Sequence, residues 1–393
     1  MEFQKQKSST YQRIAYSMWI TAVLVVLIIV ILSPYTHTDT PAYHKAVERW
    51  FLRQPLYLDN SFFYFPQFIL LFMSFDFLPF LPGDMLWRVF SSALLCWGLR
   101  RILKSSDRLE NERFFLYASL VTISCAVGAL RNGQANLIFG ALGLHAAASL
   151  AKSRWWTASL CLIGALAVKP LGIVMLILAF IIYRPIAWRL ASGLIIFFIL
   201  PFLFADPLYV ITEYRQVLAR LLTSSLTTEH RFADFNGLLR SIGFGLTGVG
   251  SQVARIGAGV LTSILCLFSV KRKREPDRAL LLLGLASTYL MLFNPMTQGN
   301  SYVVVGPIIA IYAIRSLWIE NSQKIGLGLL FMGISLGPLP TEICYLIDAN
   351  FRFWWRPLMM IFFTGFLTYT IFRAEDTRHS ALNVFMEDKN AFL

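Results

Sequence analysis

Charged side chains are scarce in this chain of 393 residues, because Asp, Glu, Lys and Arg make up only 15% of it. Soluble globular proteins carry about 25%, so the deficit argues against a soluble enzyme. The apolar fraction is 56% and the mean hydropathy is +0.60. The alternating segments of about ten residues that are typical of membrane β-barrels are also missing. We therefore predict an all-α polytopic membrane protein.

Cysteine is also sparse, and its spacing carries no signal. The five cysteines are scattered, with no CxxC pair and no spacing that suits a metal ion. They are Cys96, Cys125, Cys161, Cys266 and Cys344. This pattern argues against a disulfide framework and a zinc site, and we interpret the cysteines as small buried apolar residues.

Long apolar segments recur along the chain, and each is about long enough to cross a hydrocarbon core of about 30 Å. We expect about twelve spans in one integral membrane domain that covers residues 1–393. They are residues 14–32, 84–103, 114–130, 135–151, 155–168, 171–183, 190–204, 256–270, 279–293, 303–318, 325–336 and 355–372. The first exceeds a signal-peptide core and is predicted to stay uncleaved. Residues 67–80 are shorter and contain Asp76, which favours a re-entrant or interfacial segment.

Basic clusters follow alternate apolar segments, and the strongest is the run at 271–274. Because Lys and Arg are retained on the cytoplasmic side, we expect both termini and the polar tail, 374–393, to be cytoplasmic. The polar inserts 34–66 and 205–254 then lie on the outer face. The net charge of +13 follows mostly from this topology. We interpret the run at 271–274 as an orientation signal rather than a nucleic-acid patch, and expect no nucleic-acid partner.

The first outer insert, 34–66, is the richest polar and aromatic stretch of the chain. Its pattern predicts an amphipathic helix over 42–51, with Pro41 in the first turn. The apolar face of this helix would carry Tyr43, Ala46, Val47 and Trp50. Asp39 has two interpretations: a carboxylate that caps the helix, or a catalytic carboxylate held just outside the membrane.

Lys169 and Arg131 each end an apolar segment on the outer side. A cation near the membrane core costs about 2.5–3.5 kcal/mol, so it usually snorkels to the interface or finds a partner. Snorkelling is one interpretation of both residues. The other is a shared pocket in which they bind a lipid phosphate together with Arg231 of the second insert. His230 and Asn236 add polar groups on the same side.

Several short motifs succeed one another in a familiar order after Asp39. They are Leu56-Tyr57 and Tyr64-Phe65-Pro66, Gly133-Gln134-Ala135-Asn136, Ala167-Val168-Lys169-Pro170, Asn236-Gly237-Leu238, and Asn294-Pro295 through Tyr302. In this order they resemble the bacterial polyprenyl-phosphate-mannose-dependent mannosyltransferases, which form glycosyltransferase family 87 of the GT-C superfamily. The resemblance covers most of the chain.

The chain departs from the family pattern at three places. The motif at 236–238 lacks a Gln-Ser pair, and Gln54-Pro55 stands where a glycine is usual. Gln298 and Asn300 occupy positions where many members carry an aromatic residue or histidine. These departures leave the sugar and the acceptor open, rather than the fold.

The resemblance implies a GT-C fold and a sugar donor carried on polyprenyl phosphate. Asp39 would act as the general base on an acceptor hydroxyl, with inversion at the anomeric carbon and release of polyprenyl phosphate. Lys169, Arg131 and Arg231 would bind the donor phosphate. The other substrate-binding residues would be His37, Tyr43, Tyr64, Gln134, Asn136, His230, Asn236, Gln298 and Asn300.

The expected partners are the lipid-linked donor, a glycan or glycolipid acceptor, and membrane lipids. No cofactor is expected beyond the donor. The outer inserts have no DxD motif, and Arg and Lys can stabilise a monophosphate leaving group, so no divalent metal is expected. The transferred sugar would be mannose or another hexose, and the site would face outward from a bacterial cytoplasmic membrane.

Two other classes of function remain open at this stage. A polymerase or ligase of lipid-linked glycans would use an arginine-rich outer loop, and the second insert carries Arg215, Arg220, Arg231 and Arg240. A transporter would also span the membrane many times, but its halves should repeat. The halves of this chain show no convincing match.

Overall fold

The computed structural model describes residues 2–36, 38–59, 61–106, 109–225 and 232–373, and within these ranges the chain is helical without a strand. Three short 3-10 segments occur at Arg184–Ile186, Leu200–Leu203 and Gly299–Val304. The α-helices are α1 (Glu2–Leu32), α2 (Thr40–Phe51), α3 (Pro66–Asp76), α4 (Phe80–Leu103), α5 (Glu112–Arg131), α6 (Asn136–Ala151), α7 (Trp155–Val168), α8 (Gly172–Ile182), α9 (Ala187–Ile199), α10 (Pro207–Ser225), α11 (Phe235–Ser241), α12 (Gly248–Arg272), α13 (Asp277–Phe293), α14 (Gly306–Trp318), α15 (Gln323–Ser335), α16 (Pro338–Tyr345) and α17 (Phe351–Phe372).

Helix length and composition do not confirm the twelve membrane spans that we expected. In the described part of the chain, four helical segments are long and apolar enough to cross a membrane, and two bent helix pairs raise the number to at most six. Several expected spans are helices of only 11 to 16 residues, such as α6 and α8. At 1.5 Å per residue, 16 residues extend about 24 Å, which is less than a hydrocarbon core. The count of twelve is therefore not confirmed.

The segments at the outside of the bundle include α1 and α12, and those at its centre include the shorter helices α6, α13 and α14. Only 22% of the most apolar window of residues 9–32 is buried, and only 17% of that of α12. By contrast, nearly all residues of α6, α13 and α14 are buried. The peripheral helices thus offer apolar side chains to lipid, whereas the central ones are covered by protein.

The segment predicted to be re-entrant or interfacial, residues 67–80, spans the break between two helices. α3 and α4 meet there at 114°, a bend that a re-entrant loop and a broken span would both have. The ring of Phe72 on α3 packs edge-to-face on Trp87 of α4, with ring centroids 5.1 Å apart. Such aromatic pairs add about 0.5–1.5 kcal/mol beyond their buried area, so the bend is held by packing.

The predicted amphipathic helix forms and lies on this bend. α2 runs from Thr40 to Phe51 with Pro41 in its first turn, and its predicted apolar face is buried. The Tyr43 ring packs against Phe68 and Phe72 of α3, with ring centroids 4.8 and 5.3 Å away. This contact places the start of α2, and therefore Asp39, beside the end of α5 and the start of α6.

The two polar inserts contact each other, as expected for segments on one face of the membrane. The Leu56 backbone N–H donates to Glu213 Oε2 at 3.0 Å, and Arg220 Nη2 donates to the Asp59 carbonyl at 2.7 Å. Ala233 N–H in turn donates to the Thr297 carbonyl at 2.9 Å. The first insert, the second insert and residues 294–302, which we call the late polar loop, therefore gather at one end of the bundle.

Candidate active site

Asp39 occupies the N-cap position of α2, yet its carboxylate makes no capping hydrogen bond. The backbone anchors it instead: Asp39 N–H donates to the Asn132 carbonyl at 2.9 Å, and Ala42 N–H donates to the Asp39 carbonyl at 3.1 Å. The Thr40 N–H donates a hydrogen bond to Thr38 Oγ1 at 3.4 Å. The helix therefore does not use the Asp39 carboxylate, which remains available for chemistry.

Three side chains from distant parts of the chain act on this carboxylate. Burial raises the pKa of Asp39, whereas a hydrogen bond from the Gln134 side chain and the positive charges of Lys169 and Arg88 oppose that rise. Burial favours the neutral acid, and hydrogen bonds and cations favour the carboxylate. A carboxylate with a raised pKa is a stronger proton acceptor, which suits a general base.

Arg88 holds the first insert against the turn between α5 and α6. Its Nε donates to the Leu130 carbonyl at 3.0 Å, and its Nη2 donates to the Arg131 carbonyl at 2.9 Å and to Thr38 Oγ1 at 3.0 Å. It also forms a buried ion pair with Asp84, one turn earlier on α4. We did not predict a role for Arg88. The signal was available, because opposite charges four residues apart in an apolar helix are rarely without function.

The Gly-Gln-x-Asn motif forms the tight turn that Arg88 contacts. Gly133 has φ +61°, and a Cβ there would lie 2.7 Å from Thr40 Cγ2 and 3.1 Å from Arg88 Cζ. Its carbonyl accepts a hydrogen bond of 2.8 Å from Trp87 Nε1. Both the backbone conformation and the space require glycine. The turn thereby brings the following Gln134 toward Asp39.

Gln134 joins the motif to the late polar loop. Its Nε2 donates to Gln298 Oε1 at 3.1 Å, and its Oε1 accepts from Asn136 Nδ2 at 2.7 Å. Asn136 Nδ2 also reaches Ser301 Oγ at 3.5 Å. The structure thus brings three of the predicted substrate-binding residues, Gln134, Asn136 and Gln298, into one hydrogen-bonded chain next to Asp39.

Tyr43 and Tyr64 form a second pair beside Asp39. Their hydroxyls are 3.0 Å apart, and Ala135 N–H donates to the Tyr43 hydroxyl at 3.3 Å. Burial raises the pKa of both tyrosines, and the nearby Asp39 charge raises each further. Both phenols therefore stay neutral and can donate a hydrogen bond.

Lys169 follows the last residue of α7, where Pro170 ends the helix. Its backbone N–H donates to the Ala165 carbonyl at 2.8 Å. Burial lowers the pKa of Lys169 to about 8, and the negative charge of Asp39 opposes this shift. No described carboxylate forms an ion pair with the ammonium. We call Asp39, Tyr43, Tyr64, Gln134 and Lys169 the Asp39 site.

The remaining predicted residues lie elsewhere. The side chain of Arg131 is exposed, and only its carbonyl takes part in the contacts around Arg88. The amide of Asn236 bonds the Leu246 backbone in both directions, at 2.9 and 2.7 Å, and closes a loop. Asn300 packs against Gly128 of α5. His37, His230 and Arg231 fall outside the described residues.

Two charged residues that we did not predict lie under the late polar loop. Arg356 of α17 is buried against Gly299, and its Nε donates to the Leu336 carbonyl at 3.2 Å. Asp234 caps α11 by accepting from Gly237 N–H at 2.7 Å, and burial raises the pKa of its carboxyl to about 6. Arg356 lies at the start of the last apolar segment, where an ionisable residue is a signal of function that we did not use.

No grouping that suits a metal ion occurs within the described ranges, where no three His, Cys, Asp or Glu side chains cluster together. The five cysteines are all free, and Cys96, Cys125 and Cys266 are buried. The Asp39 site therefore consists of one carboxylate, one ammonium, two phenols and one carboxamide. These are groups for proton transfer and for recognition of a hydroxylated, anionic ligand.

The described chain is thus all-helical, with several apolar helices and with a buried carboxylate and a lysine at one end of its bundle. The model of glycosyltransferase family 87 matches residues 62–295, more than half of the chain. The chain therefore belongs to glycosyltransferase family 87, as the motifs indicated, and this is consistent with the GT-C superfamily. The match includes Tyr64, Gln134 and Lys169 and begins after Asp39. Comparison with curated proteins gives no match.

Proposed function

We propose that this glycosyltransferase moves one sugar, mannose or another hexose, from a polyprenyl-phosphate donor to a hydroxyl of a glycan- or lipid-linked acceptor. The observation that carries the proposal is the Asp39 carboxylate. It lies at a helix start that does not use it, with its charge balanced by Lys169 and its orientation set by Gln134. A proton acceptor next to a cation is what transfer from a phosphate leaving group needs.

In the proposed reaction, Asp39 accepts the proton of the acceptor hydroxyl. The acceptor oxygen forms a bond to the anomeric carbon on the face opposite the phosphate, and the bond from that carbon to the phosphate oxygen breaks. The electron pair leaves with polyprenyl phosphate, and the anomeric configuration inverts. The transition state resembles an oxocarbenium ion, so the base must be within hydrogen-bond reach of the attacking oxygen.

The leaving phosphate gains negative charge as the bond breaks, and in the proposed reaction Lys169 stabilises that charge. An ammonium in a partly buried position acts more strongly on a phosphate than one in water, because the local dielectric is lower. Gln134 and the neutral phenols of Tyr43 and Tyr64 offer hydrogen bonds to sugar hydroxyls. With these groups the mechanism needs no divalent metal ion.

The proposed location is the outer face of a bacterial cytoplasmic membrane, with both termini cytoplasmic. The support comes from α4, on which Arg88 contacts the Asp39 end of the bundle and Arg101 follows 13 residues later. Thirteen residues of helix extend about 20 Å. The basic residues that mark a cytoplasmic boundary are thus at the opposite end from the Asp39 site.

The direct test offers the purified full-length chain two labelled donors, polyprenyl-phosphate mannose and a nucleotide-activated mannose, together with extracted membrane glycolipids and glycans. We expect label to move from the polyprenyl-phosphate donor, with one sugar added per acceptor and inverted configuration. Transfer from the nucleotide donor alone would contradict the proposal. Transfer of whole oligosaccharides would favour a polymerase or ligase.

A further inference from the structure

A cavity of about 810 Å³ opens between α1, α4 and the end of α6. Its basic end lies about 20 Å along α4 from Arg88, whereas Val89, next to Arg88, lines its other end. Nothing in the proposed transfer reaction uses this cavity. Its volume is within the range of pockets that bind small ligands, about 300–1,000 Å³.

One part of the cavity wall is apolar and faces the lipid. Residues of α1 between Tyr16 and Leu27 line it, and the 11 helical steps from Tyr16 to Leu27 rise about 16 Å. Ile20 and Leu24 are 59% and 53% exposed, which shows that the cavity opens sideways along the bundle rather than being sealed within it. A slot of this length and composition suits an acyl chain that enters from the bilayer.

The other part of the cavity wall is strongly basic. Its five cations, which we call the basic cluster, are Arg100, Arg101, Lys104, Lys152 and Arg154. Arg100 pairs with Glu112 at 3.0 Å, and Lys104 approaches Glu110 at 3.8 Å. The other three have no ion pair with a described residue, and no Asp or Glu belongs to the described lining. The end of the cavity therefore carries excess positive charge.

Trp19 provides a second and independent observation. Its side chain is 5% exposed and lines the same cavity, and its indole Nε1 has no hydrogen-bond partner among the described residues. A buried donor without a partner costs free energy, so such groups usually have an acceptor. Trp19 is three residues from Tyr16, whose hydroxyl bonds Arg100, so the indole lies about 4.5 Å deeper than the cluster.

We infer that this cavity binds an anionic glycerophospholipid. The basic cluster binds the headgroup phosphate, and an acyl chain lies along α1. Neighbouring atoms cover Trp19 Nε1, so the indole turns when the lipid enters and donates to an ester oxygen just below the phosphate. Basic pockets between membrane helices bind anionic headgroups through charge-assisted hydrogen bonds. From the membrane interior toward the rim, the cavity presents the apolar slot, the Trp19 donor and the cations. A phospholipid presents its tail, its ester and its phosphate in the same order.

The test is native mass spectrometry of the full-length protein after delipidation in detergent. The probes are phosphatidylglycerol and phosphatidylcholine with identical acyl chains. We expect at least one phosphatidylglycerol to bind saturably, and phosphatidylcholine not to displace it. The double variant Lys152→Gln/Arg154→Gln removes two exposed cations, and each should cost about fivefold in phosphatidylglycerol affinity, or about 25-fold together.

The matched control is Lys271→Gln/Arg274→Gln, which removes the same charge from residues that do not line the cavity. It should retain the affinity of the unaltered protein. Trp19→Phe should weaken phosphatidylglycerol several-fold and leave the preference for the anionic headgroup unchanged. Thermal unfolding of each variant checks that the chain is still folded.

Three results would overturn the inference. The first is equal binding of both phospholipids, and the second is an equal loss of affinity in the control and the double variant. The third is retention of polyprenyl phosphate with exclusion of phosphatidylglycerol, since the occupant would then belong to the transfer reaction. The inference does not depend on the identity of the sugar donor.

Discussion

Asp39 and Lys169 each stabilise the charged form of the other, although no ion pair within 4 Å joins their side chains. A direct pair would neutralise both groups and close the site. The separation instead leaves room between a proton acceptor and a cation. In the proposed reaction, the attacking hydroxyl approaches one side of the anomeric carbon and the phosphate leaves from the other, so a gap of this kind is required.

Asp39→Asn should lower turnover by 10²–10⁴-fold, because the amide cannot accept the proton. The thermal stability should hardly change, since Asp39 makes no side-chain capping bond. The measurement is single-sugar transfer at saturating donor, with donor binding determined separately.

Asp59→Asn is the matched control for this change. Asp59 accepts a 3.2 Å hydrogen bond from Ser61 N–H and pairs with Arg49 at 2.9 Å, and its pKa is well below its usual range, chiefly through its bond with the Ser61 hydroxyl. The Asp59→Asn variant should therefore keep most of the transfer activity. Near-normal transfer by the Asp39→Asn enzyme would remove the base from the mechanism.

Lys169→Met should weaken the binding of the polyprenyl-phosphate donor by about ten- to a hundredfold, because a charge-assisted hydrogen bond contributes about 1.5–3 kcal/mol. Acceptor affinity should be largely unchanged. Arg131→Met is the comparison, and its exposed side chain predicts a smaller effect on donor binding. Equal donor affinity in the Lys169→Met and unaltered proteins would leave Lys169 as a residue that only snorkels.

The pH dependence of transfer should reflect the protonation of Lys169. Lys169 must be protonated to attract the phosphate, and its pKa in the folded protein is about 8. The kcat/KM for donor should therefore fall as the pH rises through about 8. On the acid side, it should fall when Asp39 becomes protonated, at a pH above the usual range of an aspartate because burial raises its pKa. In the Lys169→Met variant, the fall of kcat/KM at alkaline pH should disappear and the fall at acid pH should remain.

Gly133→Ala should destabilise the protein and lower its activity together. The new Cβ would be strained at φ +61° and would press on Thr40 and Arg88, which hold the first insert in place. Gly243→Ala is the control, since Gly243 has φ +88° with nothing within 4 Å of a Cβ. Backbone strain should lower the stability of both variants by about 1–2 kcal/mol. Only Gly133→Ala should show a further loss of stability and slower transfer, as measured by thermal unfolding and a transfer assay.

Labelling of single cysteines in a cysteine-free background tests the orientation. Tyr35→Cys and Leu346→Cys are at exposed positions, 72% and 84% exposed, near the ends assigned to the outer face. An impermeant maleimide should label them in intact cells. Lys104→Cys and Lys271→Cys should react only after the membrane is opened. Labelling of either lysine position from outside would reverse the proposed topology.

Much of the Asp39 site could be predicted because its groups belong to short motifs. Gly133, Gln134 and Lys169 are recognisable from their neighbours along the chain, and Asp39 from its position after the first span. Arg88 and Arg356 could not be found in the same way. Apart from Asp84 and Thr38, which contact Arg88, their partners are carbonyls at positions 130, 131 and 336, and backbone carbonyls carry no sequence signal.

The sequence by itself determined the class of the protein. Its apolar content requires burial in lipid or protein. The helical spacing of Tyr43, Ala46, Val47 and Trp50 requires an amphipathic α2. The tertiary structure decided which apolar helices meet lipid and which meet protein, because hydropathy measures the need for burial and not what supplies it. For the same reason it alone decided that Gln134, Lys169 and Arg88 act on one carboxylate. Charges that are far apart in the chain interact only once packing has brought them together.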